Sequence, residues 1–116
     1  MIRLNKDRME NEVPQMRGGL GTTLVSKFLT EEEAHGTGKN FSVNTLPPGA
    51  SIGWHQHTGE FEIYLILEGE AVVTDQGRRQ HLLKPGDMML CDDGESHAIE
   101  NRGDAPVSFL SLILYC

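Results

Sequence analysis

From residue 40 to its end, the chain alternates short apolar and polar stretches, with turn signals about every eight to twelve residues. Side chains two apart on a strand share a face, so this alternation predicts half-buried strands and not helices. Short strands in such number are typical of an all-β sandwich or barrel. Strands are predicted over residues 22–29, 41–46, 51–57, 61–67, 71–74, 80–83, 88–91, 96–101 and 107–115.

Glycine and proline mark the predicted turns, and the chain holds 13 glycines and five prolines. Glu68-Gly69 is typical of a tight hairpin, and Pro85-Gly86 of a type II turn. Residues 30–33, Thr-Glu-Glu-Glu, have the spacing of a helix capping box. Two glycines follow so closely, however, that at most one helical turn fits there.

Residues 1–20 are polar and mixed in charge, which separates them from the alternating region. Two interpretations stay open: a loosely ordered terminus, or an arm that crosses a partner subunit and covers an exposed sheet edge. We therefore divide the chain into an N-terminal arm, residues 1–20, and a single β-barrel domain, residues 21–116. A domain of this length has room for one hydrophobic core.

The formal net charge of −7 is unevenly distributed. Residues 1–40 carry six basic and six acidic side chains, whereas residues 41–116 carry four basic and eleven acidic ones. Such a surface repels phosphate backbones and anionic lipids, so neither nucleic acid nor a membrane is an expected partner. The sequence has no apolar run of transmembrane length, no signal-peptide core and no disulfide framework, so we expect a soluble, cytoplasmic protein.

Four residues form a candidate metal site. His55 and His57 lie two apart in a predicted strand and so project from one face, with Glu62 on the next strand. His97 begins a later strand that an antiparallel barrel can bring beside them. Buried separately, such groups would each cost about 1–3 kcal/mol, which favours a shared cation over four unrelated polar residues. Nitrogen and oxygen donors without thiolate suit a divalent transition metal: iron, manganese, nickel, cobalt, zinc or copper.

These residues resemble those of a known family. Residues 49–69 fit the first cupin motif, G-x5-H-x-H-x4-E-x6-G, at every fixed position. Residues 86–101 are similar to the second, G-x5-P-x-G-x2-H-x3-N, except that Asp92 replaces the proline. The chain thus resembles the small single-domain microbial cupins. That resemblance implies a double-stranded β-helix, or jelly roll, frequent homodimers, and a metal in the wider mouth bound by His55, His57, Glu62 and His97.

Four protein ligands leave one or two positions open on a five- or six-coordinate ion, so the site is expected to be reactive. We favour a metal-dependent enzyme acting on a small organic molecule, with dioxygenase-like or lyase-, isomerase- or decarboxylase-like chemistry. Glu62 and Tyr64 are the candidate catalytic residues, Glu62 to take up a proton and Tyr64 to donate a hydrogen bond. For Tyr64 the alternative is that it fills the barrel. The alternative function is a non-catalytic cupin that binds or senses a small ligand.

The wall of the site is expected to be apolar, because parity turns several apolar residues inward. From residue 51 to 101 the basic side chains other than histidine lie near turns, which argues against sugar phosphates and dicarboxylates, whose pockets need an inward cation. Arg17, Lys27 or Lys39 could supply one from the N-terminal third. We therefore expect a small neutral or aromatic ligand against a wall of Tyr64, Ile66, Met88 or Met89, Ile99 and Phe109.

Overall fold

Just over half of the residues lie in strands, and the computed structural model describes all 116 residues. Short 3₁₀ turns at Asn5–Asp7 and Met16–Gly18 are its only helical segments, and no helix has the length and apolar character that a membrane crossing requires. The strands are β1 (Met9–Pro14), β2 (Thr22–Lys27), β3 (Gly38–Leu46), β4 (Ser51–Gln56), β5 (Glu60–Glu68), β6 (Ala71–Thr74), β7 (Gln80–Leu83), β8 (Met88–Cys91), β9 (Ser96–Glu100) and β10 (Val107–Tyr115).

Two antiparallel sheets form a jelly roll, which confirms the predicted all-β class. One sheet has six strands in the order β1-β2-β3-β10-β5-β8, and the other has four in the order β4-β9-β6-β7. Every strand predicted from the alternation is present. Most of their ends lie within two residues of the predicted ones, although β3 begins three residues early.

Strand β1 is the element that the alternation did not predict. It pairs along its whole length with β2, from Met9 opposite Lys27 to Pro14 opposite Thr22. Only Met9 and Val13 of β1 are even half-buried, so the strand lacks the apolar alternation by which the others are found. The region interpreted as an arm therefore contributes an edge strand to the larger sheet.

The N-terminus is also tied down by an ion pair. The Arg3 guanidinium donates to both carboxylate oxygens of Glu33, at 2.8 and 3.0 Å, and to the Phe28 carbonyl. These hydrogen bonds from Arg3, with those from Thr30, lower the pKa of Glu33 to about 2. Thr30 and Glu33 make the reciprocal bonds of the predicted capping box, at 2.9 and 3.1 Å, around a turn instead of a helix.

The interior divides into an apolar end and a polar end. Along β3 the inward side chain of Leu46 is followed by Asn44, Ser42 and Asn40. At the same end, Glu62 on β5 and Ser111 on β10 point inward, although the next inward residue of β10 is the apolar Ile113. The hydrophobic core therefore fills one end of the barrel and leaves the other free for a site. Its ten buried members are Leu46, Ala50, Ile52, Tyr64, Ile66, Ala71, Val73, Ile99, Val107 and Phe109.

Candidate metal centre

The four predicted ligands meet at the polar end of the barrel. Strands β4 and β9 pair so that His55 lies directly opposite His97, and Glu62 reaches them from β5 of the other sheet. His57 follows β4 and is held by backbone hydrogen bonds to Gly94 and Glu95, at 2.7 and 3.0 Å. The side chains of His57, Glu62 and His97 are buried, with at most 4% of each residue exposed.

The turn before His97 forms although Asp92 stands at the proline position of the motif. The Glu95 amide donates to the Asp92 carbonyl at 3.0 Å, and Gly94 takes a left-handed conformation with φ of 84°. The Asp93 carboxylate accepts from the Gly59 amide at 2.7 Å, which joins this turn to the one before β5. The departure from the motif therefore leaves the ligand in place.

The donor atoms are spaced as a coordination sphere requires. His97 Nε2 lies 3.0 Å from Glu62 Oε1, 3.1 Å from His55 Nε2 and 3.2 Å from His57 Nε2. Neighbouring donors about 2.1 Å from an octahedral ion lie about 3.0 Å apart, and opposite donors about 4.2 Å. The 3.9 Å between His55 Nε2 and Glu62 Oε1 falls within that span. The four residues are thus positioned to hold one metal ion.

Hydrogen bonds aim these donors at a common point. His55 Nδ1 donates to the Gly53 carbonyl at 2.7 Å and His57 Nδ1 to Glu60 Oε2 at 2.6 Å, so the Nε2 lone pair of each ring faces the site. The Ser111 hydroxyl donates to Glu62 Oε2 at 2.6 Å, which leaves Oε1 toward the imidazoles. Without a cation, lone pairs would face one another in a buried space, so the donor set fits a metal.

Charge and burial set the protonation of the cluster. Burial acts to raise the pKa of the Glu62 carboxyl, but the three neighbouring imidazoles and the hydrogen bond from Ser111 hold that pKa well below its usual range. Burial lowers the pKa of His97, and this effect outweighs the hydrogen bond with Glu62, which acts to raise the same pKa. The hydrogen bond with Glu62 raises the pKa of His57, so a metal at His57 competes with a proton.

A second carboxylate supports His57 from behind. Glu60 is buried and accepts the hydrogen bond from His57 Nδ1. It also forms an ion pair with Lys39 Nζ at 2.7 Å. Burial acts to raise the pKa of Glu60, but the hydrogen bonds from Lys39 and His57 lower it overall. Carboxylate–histidine pairs of this kind fix the ring orientation in metal sites. Glu60 was not among the predicted site residues.

Tyr64, the other candidate catalytic residue, forms part of the site wall. Its ring stacks on His97 with centroids 4.7 Å apart and meets Phe109 edge-on at 4.7 Å. Burial and the nearby charge of Glu62 raise the pKa of Tyr64 well above its usual value, so the hydroxyl stays protonated. Tyr64 therefore both packs in the barrel and lines the cavity beside Glu62.

Cys91 lies opposite Glu62 on β8 and is buried. Burial and the charge of Glu62 raise the pKa of this thiol to about 12, so it stays neutral.

Asn101 is remote from the ligands and has a structural role. Its amide donates to the carbonyls of Leu46 and Ala105, at 2.9 and 2.8 Å, and its oxygen accepts from the Gly103 amide at 2.9 Å.

A cavity of about 540 Å³ opens onto His55, His57 and Glu62, and its wall is not built from the apolar residues predicted. Of the predicted wall, Tyr64 lines the cavity, whereas Ile66, Ile99 and Phe109 belong to the core at the apolar end. Only six of the 18 lining residues are hydrophobic. The prediction was wrong because alternation shows which residues point inward but not at which end of the barrel they lie.

The sequence analysis missed one group of polar residues beside the cavity and named a second group only as possible contributors. A polar stripe on β3 and β10 consists of Asn40, Ser42, Asn44 and Ser111, joined by side-chain hydrogen bonds of 2.8 to 3.0 Å. The alternate spacing of its three β3 members was the signal that could have shown it. The second group is Arg17, Lys27 and Lys39, which all line the cavity, so the cations considered possible from the N-terminal third do reach it.

The chain matches the sequence profile of a known domain family, the Cupin domain, over residues 42–113. It is 40% identical to the oxalate-binding protein of Thermotoga maritima over 114 residues, which cover 98% of this chain and 93% of that protein. A dimethylsulfoniopropionate lyase of Ruegeria pomeroyi is 39% identical over 70 residues, which cover 60% of this chain and 33% of the lyase.

Solved structures agree with these sequence matches. A crystal structure described as a predicted oxalate decarboxylase from Thermotoga maritima superposes with a TM-score of 0.95 at 40% identity, and each chain is fully covered. The polyketide cyclase RemF from Streptomyces resistomycificus superposes with a TM-score of 0.78 at 21% identity. The superposition covers all of this chain and 80% of the cyclase, and it shows a shared fold alone.

Proposed function

Since the chain belongs to the Cupin domain family, we propose that it binds a divalent transition-metal ion and, beside the ion, a small carboxylic acid such as oxalate. The observation that carries this proposal is the cavity, which joins the metal cluster to three basic side chains in one space. The ion would act as a Lewis acid that holds and polarises carboxylate oxygens. The proposed ligands are His55, His57, Glu62 and His97.

The charges around the site favour an anion. Three neutral imidazoles and one carboxylate leave a divalent ion with one uncompensated positive charge. Arg17 and Lys27 line the cavity. Neither forms an ion pair with a carboxylate, whereas Arg3, Lys39 and Arg102 each do. This arrangement replaces the neutral or aromatic ligand expected from the sequence. The name of the Thermotoga maritima relative, an oxalate-binding protein, points the same way.

Calorimetric titration with oxalate tests this proposal. Protein loaded with one equivalent of manganese is expected to bind one oxalate per chain, whereas protein stripped with a chelator binds at least about tenfold more weakly, a difference of about 1.4 kcal/mol. Acetate, which cannot chelate through two carboxylates, serves as the matched anion. Equal oxalate affinity with and without metal would contradict the proposal, as would no binding to the loaded protein.

The second candidate function is turnover of the bound acid, and the position of Tyr64 favours it. The protonated Tyr64 hydroxyl in the cavity wall beside Glu62 can donate a hydrogen bond to a bound anion. Incubation of the metal-loaded protein with oxalate, followed by formate and carbon dioxide assays and by oxygen-uptake measurements, separates decarboxylation from oxidation. Absence of products with every metal tested would leave the binding function alone.

We also propose that the protein is a homodimer. The outer face of the six-stranded sheet presents two rows of apolar side chains without a charge, although the outer face of an antiparallel sheet is usually polar. Met88 and Leu90 are 52% and 48% exposed there. A second copy of the same uncharged face is a self-complementary partner. The rows are Val43, Leu110, Leu65 and Met88, and Phe41, Leu112, Ile63 and Leu90.

Light scattering coupled to size exclusion is expected to give twice the 12.9 kDa chain mass. Leu90→Lys should shift the protein to the monomer, because it places a charge in the apolar interface. Leu82→Lys is the matched control, since Leu82 is 53% exposed on β7 of the other sheet. A monomeric wild type, or dissociation by the control as well, would refute this assignment of the interface.

A further inference from the structure

We infer that the acid bound in this cavity is longer than oxalate and carries a second anionic group, which Arg17 receives at the cavity mouth. This inference rests on the proposed function. The cavity volume is about 540 Å³, whereas the six non-hydrogen atoms of oxalate fill at most about 180 Å³ at 30 Å³ for each water-sized atom. A molecule chelated at the metal cluster therefore has room to extend toward the mouth.

The walls between the metal cluster and the mouth favour an oxygenated molecule over an apolar tail. Asn40 and Asn44 line the cavity on the inward face of β3. The Asn44 side-chain oxygen accepts from Ser42 at 2.8 Å, which leaves its amide nitrogen as a donor. A buried amide facing an apolar ligand would lose its hydrogen bond with water and gain none in return, which is unfavourable.

Arg17 belongs to a short segment, residues 15–21, that crosses β4 beside the metal ligands; we call it the strap. The strap is bound to Ser51 by hydrogen bonds from the Ser51 amide to the Leu20 carbonyl and from the Leu20 amide to the Ser51 hydroxyl, each 2.8 Å. At Gly53 it passes so close that a Cβ would lie 2.2 Å from the Arg17 carbonyl oxygen. Only glycine permits that approach, so the backbone of Arg17 is held in place.

The backbone of the strap is also strained at Arg17. Its φ is 54°, in the left-handed region that is unfavourable for non-glycine residues, and Gln15 lies in the same region with φ of 48°. Strained residues persist where packing holds them and are concentrated at ligand-binding sites. The strained residue here carries a guanidinium that lines the cavity and has no carboxylate ion-pair partner.

The other charged residues of the wall are distributed differently. Lys39 forms an ion pair with Glu60, whereas Lys27 is the last residue of β2 and forms no ion pair with a carboxylate. Glu12 and Glu31 also line the cavity and, like Arg17, are exposed. Arg17 is therefore the basic residue that combines a fixed backbone, an unpaired guanidinium and a place in the cavity wall. A guanidinium binds a carboxylate or a phosphate through two parallel hydrogen bonds, so either group can serve as the second anion.

Matched pairs of acids test this inference by calorimetry on the manganese-loaded protein. Malate and 2-hydroxybutanoate share a four-carbon chain and the same chelating end, and they differ in the terminal carboxylate. Malate is expected to bind at least about tenfold more tightly, the effect of a charge-assisted hydrogen bond. 3-Phosphoglycerate, with a terminal phosphate, distinguishes the two possible anions. Preference for either doubly anionic acid over 2-hydroxybutanoate supports the inference.

Variants connect that preference to the strap. Arg17→Gln should abolish the preference for the doubly anionic acids and leave the metal content unchanged, while oxalate affinity falls by a smaller factor than malate affinity, because oxalate is held mainly at the metal end of the cavity. Arg79→Gln removes the same charge from an exposed turn and should change nothing. Equal affinity for malate, 3-phosphoglycerate and 2-hydroxybutanoate would overturn the inference, as would a preference that survives Arg17→Gln. Failure of oxalate itself to bind would refute the proposed function instead.

Discussion

A His97→Ala protein is expected to lose stoichiometric metal binding, retaining less than about a tenth of the metal that the wild type holds. His97 Nε2 lies within 3.2 Å of all three other donor atoms, so its loss opens the coordination sphere on the side of β9. Elemental analysis after dialysis against equal concentrations of manganese, iron or zinc measures the loss. His55→Ala should behave in the same way, because its ring is aimed at the same point by Gly53.

His81→Ala provides the matched control for this prediction. His81 lies on β7 and is bound to Asp75 at 2.8 Å on the exposed surface, far from the cluster in the fold. It should retain the wild-type metal content. The His97 variant should still fold, because the ten-residue core lies at the opposite end of the barrel, and circular dichroism checks this point. Unchanged metal content in both His55→Ala and His97→Ala would refute the site.

Tyr64→Ala is expected to destabilise the metal-free protein by about 3–5 kcal/mol, the cost of removing a large aromatic side chain from a packed core. Tyr64 is only 1% exposed and contacts the rings of both His97 and Phe109. Urea unfolding followed by circular dichroism measures the free energy of unfolding. A loss below about 1 kcal/mol would show that the ring contributes little to packing, contrary to its burial.

Tyr64→Phe separates packing from chemistry at the same position. It keeps the ring and removes the hydroxyl, so the free energy of unfolding should fall by less than about 1.5 kcal/mol. If Tyr64 donates a hydrogen bond to the bound acid, Tyr64→Phe should still weaken oxalate binding or turnover by about tenfold, the value of a hydrogen bond to a charged group. Unchanged binding and turnover would leave Tyr64 with packing alone.

The fold and the His55–His57 pair could be predicted because both depend on local spacing, whereas Glu62 and His97 lie on other strands and were identified through the cupin motifs. Alternation and turn residues mark each strand, and two histidines two apart must share a face wherever the strand lies. The distances among His55, His57, Glu62 and His97 agree with that prediction. The support given to His57 by Glu60 and Lys39 was missed, since it depends on how the start of β5 meets the start of β3, which spacing alone does not specify.

The residues of the cavity wall could not be predicted in the same way, because they are brought together by contacts between distant parts of the chain. Strand β1 has too few apolar residues to be recognised, so the path of the strap over β4 could not be foreseen. Without that path, Arg17 was only a possible contributor to the site. The polar stripe was missed for a related reason: β3 was recognised by its outward apolar residues, such as Phe41 and Val43, while Ser42 and Asn44 are the ones that face inward.

Strand β1 has a further consequence for how copies of this chain can associate in solution. An open strand edge is a template for cross-β aggregation, and proteins protect such edges with charge, proline or short strands. β1 covers the edge of β2 with a strand that carries Glu10 and Glu12 and ends at Pro14, and the opposite edge, β8, has only four residues. A chain truncated before Gly21 would keep every proposed metal ligand yet expose β2 as an unprotected edge, and so would be prone to form fibrils.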